Sequence, residues 1–110
     1  MKLAVIGSRN LTNVDLASYI SKEVNEIVSG GAIGVDTCAA QYARRQGLKL
    51  TEFLPEYKLY GRAAPILRNK PIVDYADKVL VFWNGSSKGT LSVIRYAEKV
   101  GKTYEIVICK

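Results

Sequence analysis

Two glycine-rich turns contain the residues of this chain whose types and spacing could do chemistry. The first turn holds Gly30, Gly31, Gly34 and Asp36, between an apolar run and an amphipathic helical pattern. Glycine lets a ligand or another backbone approach closely, and the following helix begins with unpaired N–H groups at the positive end of its dipole. The turn therefore predicts either an anion site or tight packing of the helix against its strand. For Asp36 two interpretations stay open, contact with ribose hydroxyls and stabilisation of the helix start.

The second turn combines hydroxyls, backbone N–H groups and an ammonium group at the start of another predicted helix. Its candidate ligand residues are Asn84, Gly85, Ser87, Lys88, Gly89 and Thr90. Such a group suits a phosphate, although Lys88 precedes Gly89 and the spacing is not that of a P-loop. In the alternative interpretation, Ser87 or Thr90 caps the helix and Lys88 is exposed to solvent. Of the two we favour ligand binding.

Three arginines and one amide elsewhere in the chain could join these turns. Arg9 directly follows the first apolar run, where a guanidinium can fork onto phosphate or carboxylate oxygens. Arg62, Arg68 and Asn69 lie in a later helical segment that should border the same crevice. Tyr60, just before that segment, is a candidate to stack on a base.

Alternating strand and helix patterns position these residues. Apolar runs predict five strands, at residues 3–6, 25–28, 48–54, 78–83 and 103–109. Helical patterns lie near residues 15–23, from the first glycine turn to residue 46, at 62–76 and at 90–100, with a loop at 56–61. Pro71 interrupts the third helix, which predicts a kink or two short helices. The fourth strand is apolar on both faces, as in a central strand, and for Trp83 at its end we favour core packing over base stacking.

Strict alternation of strands and helices predicts an α/β fold, a Rossmann-like three-layer sandwich with a parallel five-stranded sheet and helices on both faces. If the strand order is 3-2-1-4-5, the first and fourth strands flank the point where the order reverses. Ligands bind outside the carboxyl ends of the strands at such a point. Three turns would then meet in one crevice: Gly7-Ser8-Arg9, residues 29–31 and residues 84–90. That convergence favours ligand binding over local helix packing.

Composition limits the kinds of function that remain. The chain has 110 residues, which suits one domain spanning 1–110, and a formal net charge of +6, which favours an anionic partner. There is no histidine, so we expect no zinc or other protein-held metal, although Mg²⁺ could arrive with a polyphosphate. Cys38 and Cys109 are expected to be two buried thiols in a reducing compartment. The apolar runs are too short for a membrane span or a signal peptide, so we expect a cytoplasmic protein.

Several motifs in order carry a resemblance to a known family. They are Gly7-Ser8-Arg9, Ser29-Gly30-Gly31-Ala32-x-Gly34-Val35-Asp36, Tyr60-Gly61-Arg62-Ala63-Ala64 with Arg68-Asn69, Ala76-Asp77, and Phe82-Trp83-x-Gly85-x-Ser87-Lys88-Gly89-Thr90. Together they resemble the YspA/cpYpsA-related branch of the SLOG superfamily, whose relatives include the Smf/DprA proteins and the LOG enzymes. The resemblance covers nearly the whole chain. It implies a compact Rossmann-like fold and a role in binding nucleotides or nucleotide-derived ligands.

One departure from the LOG enzymes bears on catalysis. Those enzymes cleave the bond between base and ribose monophosphate with a Pro-Gly-Gly-x-Gly-Thr-x-x-Glu motif. When this chain is aligned on Gly89-Thr90, Val93 occupies the position of the glutamate. A valine can neither move a proton nor stabilise an oxocarbenium-like centre, which argues against LOG-type hydrolysis.

We therefore expect a binding domain for a nucleotide or nucleotide derivative, with phosphate held by the two glycine turns. Arg9 and Lys88 would supply charge, and Asp36 or Asn84 would contact the sugar or the base. Two alternatives stay open. One is an enzyme cleaving an N-glycosidic or phosphoester bond with Asp36 or Asp77, and the other is a single-stranded nucleic acid binder. We do not expect nucleic acid to be a partner, and the chain allows a homo-oligomer.

Overall fold

The computed structural model describes residues 1–11, 13–31 and 33–109, apart from the side chain of residue 66. Five strands are present: β1 Lys2–Gly7, β2 Glu26–Ser29, β3 Lys49–Glu52, β4 Lys78–Trp83 and β5 Thr103–Ile108. The helices are α1 Val35–Gln46, the short α2 Tyr57–Tyr60, α3 Ala64–Tyr75 and α4 Lys88–Val100, and a 3₁₀ turn, Gly61–Ala63, joins α2 to α3. The chain thus alternates between strands and helices after β2, as expected.

The five strands form one parallel sheet in the order β3-β2-β1-β4-β5. The central strand β1 pairs with β2 in the register Lys2↔Glu26 and with β4 in the register Gly7↔Phe82. The sheet is therefore Rossmann-like, and its strand order confirms the sequence prediction. β1 and β4 lie on the two sides of the point where the strand order reverses, so a crevice is expected between their carboxyl ends.

Two apolar layers cover the sheet, one on each face. β4 contributes to both, because Val79 and Val81 face one layer while Leu80 and Phe82 face the other. The first layer includes Ile72, Val73 and Ala76 from α3 and Val93, Ile94 and Ala97 from α4. The second layer includes Val35, Ala39 and Ala43 from α1, and Leu16 and Val24 from the segment before β2. Helices thus pack on both faces, as predicted for a buried parallel sheet.

The segment at 15–23 was predicted to be a helix, and this prediction is wrong. Its described backbone forms isolated turns, in which Tyr19 and Ile20 donate N–H groups to the carbonyl of Leu16. Ser18 also donates its hydroxyl to the carboxylate of Asp15. Short polar side chains that bond locally compete with helix formation. The apolar spacing nevertheless identified a core residue, since Leu16 is buried in the second apolar layer.

The region before and around Pro71 also differs from expectation. Residues 57–61, predicted as a loop, form α2 and the start of the 3₁₀ turn, and α3 begins at Ala64 instead of Arg62. Of the two alternatives at Pro71, the pair of short helices is wrong, because α3 is one helix with Pro71 inside it. A proline at this position removes one backbone hydrogen bond. Ile72 and Val73, directly after it, are buried almost completely against the sheet. Burial of two large side chains offsets the loss of one hydrogen bond.

The two cysteines were predicted to be buried, and this too needs correction. Cys38 and Cys109 both pack against the second apolar layer and are only partly buried. They are not joined by a disulfide. Cys38 faces the layer from one side of α1, whereas Cys109 follows the edge strand β5, where one neighbouring strand is missing. No helix among the described residues is long and apolar enough to cross a bilayer.

Candidate anion-binding cleft

A cleft of about 460 Å³ opens at the carboxyl edge of the sheet, where β1 and β4 end. Eleven of the residues singled out from the sequence line it: Gly7, Ser8, Arg9, Asp36, Arg62, Arg68, Asn69, Asn84, Ser87, Gly89 and Thr90. They come from the turn after β1, the first turn of α1, the start of α3 and the turn after β4. The parallel topology thus brings together residues that are up to 83 positions apart in the chain, from Gly7 to Thr90.

Five of the candidate residues lie outside the lining of the cleft: Gly30, Gly31, Gly34, Gly85 and Lys88. The carbonyl of Gly30 accepts a hydrogen bond from Arg68. Gly31 lies on the side of Leu54 and Glu52. Lys88 is exposed at the start of α4, as in the alternative interpretation of that turn.

Two glycines allow α1 to begin close to the end of β1. Gly34 has φ 80°, and a Cβ atom there would lie 2.8 Å from the carbonyl carbon of Arg9. A Cβ atom on Gly7 would lie 2.7 Å from Cβ of Val35. Both distances are shorter than real side chains allow, so the close approach requires glycine at both positions. The packing brings Asp36, in the first turn of α1, into the cleft.

Arg68 connects α3 to the ends of β2 and β3. Its Nη1 donates to the carbonyl oxygens of Gly30 and, at 3.3 Å, of Phe53, while its Nε donates to Oδ1 of Asn69 at 2.8 Å. A guanidinium offers five donors in a fixed plane, so it can hold these oxygens and still border a cavity. The sequence placed Arg68 near the crevice, but the backbone carbonyls that orient it are visible only in the structure.

Burial and the charges of neighbouring residues shift the pKa of Arg68. Burial lowers the pKa of its guanidinium, and the neighbouring charge of Arg9 lowers it further, whereas Asp36 and Tyr57 raise it. The guanidinium remains protonated at neutral pH. The described residues that line the cleft carry three guanidinium groups, those of Arg9, Arg62 and Arg68, and the carboxylate of Asp36. The cleft is therefore cationic, and a bound anion would lower the mutual repulsion of the arginines.

The turn after β4 is organised by Asn84. Its Oδ1 accepts hydrogen bonds from the backbone N–H groups of Ser86 and Ser87, both at 2.9 Å. Its backbone N donates to Oγ of Ser8 at 3.4 Å, and its Nδ2 donates to Oδ1 of Asn10 at 3.3 Å. The side chain of Asn84 thus closes an Asx turn and joins the two turns that border the cleft. Asn10 was not singled out from the sequence, although it directly follows Arg9.

The first turn of α4 faces the cleft. Ser87 caps the helix, because its Oγ accepts from the backbone N of Thr90 at 3.4 Å and from its hydroxyl at 3.1 Å. A Cβ atom on Gly89 would meet no atom within 4 Å, so open space lies beside the helix start. Trp83 packs against the core and donates its indole N–H to the carbonyl of Ser87 at 3.1 Å, which confirms core packing for this residue.

The carboxylates considered as acids or bases lie in different places. Asp36 is buried at the cleft, with a relative exposure of 7%. Asp77 lies at the opposite edge of the sheet, where its Oδ2 accepts from the backbone N of Lys2 at 2.8 Å, and this hydrogen bond lowers its pKa. Val93, at the position of the LOG glutamate, is buried in the core between α4 and the sheet. Among the described residues that line the cleft, Asp36 is the one carboxylate.

Comparison with known proteins gives one partial match. Residues 1–49 match the family of DNA recombination-mediator protein A, the DprA/Smf family. The matched part runs from β1 to the start of β3 and includes Arg9, the first glycine turn and Asp36, but it is less than half of the chain. No curated protein matches the chain. Residues 1–49 are thus similar to DNA recombination-mediator protein A, which supports a relationship to the SLOG superfamily.

Proposed function

We propose that the cleft binds the phosphate of a nucleotide or nucleotide derivative. The observation that carries this proposal is the convergence of Arg9, Arg62 and Arg68 with the first turn of α4 on one cavity. Guanidinium groups and helix N-termini are the two groups that proteins most often aim at phosphate oxygens. The volume of about 460 Å³ also falls in the range of small-molecule sites.

The lining suggests a role for each group. The phosphate lies beside Gly89, where the helix start is open and Arg9 and Arg62 can reach its oxygens. Asp36 accepts a hydrogen bond from a ribose hydroxyl, since it is the carboxylate among the described lining residues. Lys88 has no part in this arrangement because it lies outside the lining. The proposal requires no bound metal, and Mg²⁺ would enter only with a polyphosphate.

We propose binding without hydrolysis. A hydrolase needs a group that assists the leaving base or activates water, and such a group typically contributes about 10²–10⁴-fold. Val93, at the position of the LOG glutamate, is buried in the core and lies outside the cleft lining, so it supplies no such group. We expect no free base to be released from AMP during incubation with the purified protein.

A second candidate function is binding of single-stranded nucleic acid. The match of residues 1–49 to DNA recombination-mediator protein A favours it and argues against our expectation that nucleic acid is not a partner. A strand would place one of its phosphates in the same cleft. The net charge of +6 would then attract the neighbouring phosphates.

The salt dependence of binding separates the two functions. For each phosphate contacted, the affinity of a single strand falls by about 0.7 logarithmic units per tenfold increase in salt concentration. A mononucleotide contacts few phosphates, so its affinity depends only weakly on salt. We would titrate the protein with AMP and with a 12-nucleotide DNA strand at two salt concentrations by calorimetry. AMP binding with a shallow salt dependence supports the first function. A strand that binds tightly with a steep dependence, while AMP does not bind, supports the second; binding of neither rejects both.

A further inference from the structure

A second cavity, the α3 groove, lies beside the cleft. It has a volume of about 360 Å³, and its walls include Phe53, Leu54, Tyr60, Leu67 and Arg68. Arg68 also borders the cleft, so the two cavities share one guanidinium.

Helix geometry explains why the two cavities are neighbours. Of the described residues of α3, Pro65, Arg68 and Asn69 line the cleft, whereas the α3 groove is lined by Ala64, Leu67, Arg68, Lys70 and Pro71. Residues three and four apart share one side of a helix, so these sets form two adjacent stripes that meet at Arg68. The cleft and the α3 groove therefore lie on adjacent sides of α3, with Arg68 at their common border.

The walls of the α3 groove differ in chemistry from those of the cleft. They are mainly apolar and aromatic, and two of the large side chains are unusually open to solvent, Leu54 at 63% and Tyr60 at 51% relative exposure. The ring of Phe53 makes an edge-to-face contact with the ring of Tyr75, and the two centroids are 5.6 Å apart. Tyr57, on the same short helix as Tyr60, contributes to the electrostatic environment of Arg68. The cationic cleft thus adjoins an apolar surface that includes the half-exposed side chain of Tyr60.

We propose that the α3 groove is the base subsite of the nucleotide whose phosphate lies in the cleft. The proposal rests on the proposed function and deepens it. A nucleotide joins an anionic phosphate to a flat ring with two apolar faces, and the paired cavities offer the matching surfaces in that order. Tyr60 stacks on the base, Leu54 and Leu67 cover its remaining apolar surface, and Arg68 lies between base and phosphate. Stacking on an aromatic side chain tolerates any base, because every base has a π-face.

The test compares ligands with and without a base. Wild-type protein, Tyr60→Ala, Tyr60→Phe and Leu59→Ala would be titrated by calorimetry with AMP, GMP, CMP, UMP and ribose 5-phosphate. Leu59 is a matched control, because it lies in the same short helix, is 69% exposed and is not among the residues lining the α3 groove. We expect the tightest-binding nucleotide to lose about five- to tenfold in affinity in Tyr60→Ala, the lower end of the range for base stacking. Its affinity should be kept in Tyr60→Phe and Leu59→Ala, and ribose 5-phosphate should bind all four proteins equally.

Four results would overturn the proposal. If ribose 5-phosphate binds the wild type as tightly as the nucleotides do, the base has no subsite, although the phosphate site stands. If Tyr60→Ala leaves nucleotide affinity unchanged, or if sedimentation shows a wild-type dimer that this variant loses, the groove has another role, in the latter case as a contact between two copies of the chain. If neither ribose 5-phosphate nor any nucleotide binds the wild type, the proposed function fails together with the subsite.

Discussion

The two edges of the sheet use similar charged residues in opposite ways. At the amino edge, where the strands begin, the Glu26 carboxylate accepts hydrogen bonds from Tyr75 at 2.6 Å and Thr51 at 2.8 Å and pairs with Lys49 at 3.8 Å. Lys2 lies over the ring of Tyr75, 4.1 Å from its centroid. The buried carboxylate of Glu26 is thus satisfied within the protein, as a buried charge must be.

In the cleft at the carboxyl edge, the described lining residues carry three guanidinium groups and one carboxylate. Arg9 and Arg62 are exposed, and within the part of the chain that the structure describes neither forms an ion pair. Arg68 is tied to backbone carbonyls, which are neutral partners. The difference separates stability from function in this protein: charges paired internally hold the amino edge together, and charges left with few partners mark the side where we propose that a ligand binds.

Gly34→Val should have the largest effect, because it changes the carboxyl edge at its closest backbone contact. The new side chain would need φ near 80° and would overlap the backbone of Arg9. Strain and overpacking together should lower the free energy of unfolding by about 2–5 kcal/mol. Urea denaturation measures the loss. Gly85→Ala is the matched control, since Gly85 has φ 87° but no atom within 4 Å of a Cβ, and it should lose only about 1 kcal/mol.

Glu26→Gln should destabilise the amino edge and leave the cleft intact. The variant weakens the hydrogen bonds from Tyr75 and Thr51 and removes the partner of Lys49, which should cost about 1–3 kcal/mol in urea denaturation. Nucleotide affinity, measured by calorimetry below the unfolding transition, should not change. A variant that is fully stable but binds more weakly would reverse the division between the two edges. Tyr75→Phe removes one of the hydrogen bonds and should give a smaller loss of stability.

Arg62→Ala should show the reverse pattern. Its guanidinium is exposed in the 3₁₀ turn before α3 and lines the cleft, so its removal should weaken AMP binding about tenfold and change stability by less than about 0.5 kcal/mol. Arg44→Ala, at an exposed arginine in the last turn of α1, controls for the loss of one positive charge. Lys88→Ala should also leave affinity nearly unchanged, because Lys88 is outside the cleft lining. Equal losses in Arg62→Ala and Arg44→Ala would mean that only net charge matters.

The smallest expected effect is on the pH dependence of stability. Burial raises the pKa of Glu26, but the hydrogen bonds from Tyr75 and Thr51 and the charges of Lys49 and Lys2 outweigh it, so the pKa in the folded protein lies below its ordinary value of 4.5. The ionised form is favoured by folding, so this stabilisation is complete above pH 4.5 and is lost as the pH falls through the folded value. Urea denaturation from pH 7 to pH 3 should show the wild type losing its advantage over Glu26→Gln at the acid end. A constant difference across this range would contradict the assignment.

Much of the fold could be predicted because it depends on regular patterns. Strand β4 has the predicted bounds, since its apolar residues on both faces allow no other placement in a sheet covered by helices. The parallel sheet with helices on both faces followed from the alternation of strands and helices, and the order 3-2-1-4-5 that we assumed for it is confirmed. Where two interactions compete, prediction failed: Ser18 and Asp15 formed local bonds in place of a helix, and the burial of Ile72 and Val73 kept α3 whole across Pro71.

The sequence by itself predicted that the turns after β1 and β4 meet at the carboxyl edge, because parallel strands in the order 3-2-1-4-5 bring their ends together there. It also placed residues 29–31 in the same crevice, but Gly30 and Gly31 lie outside the cleft lining. Only the tertiary structure decided where each side chain points. Asn84 bonds to Ser8 and Asn10 of the turn after β1, Lys88 lies outside the cleft lining, and Arg68 is oriented by the carbonyls of Gly30 and Phe53. The bonds of Asn84 and Arg68 join residues far apart in the chain, whose distances are set only when the helices pack on the sheet.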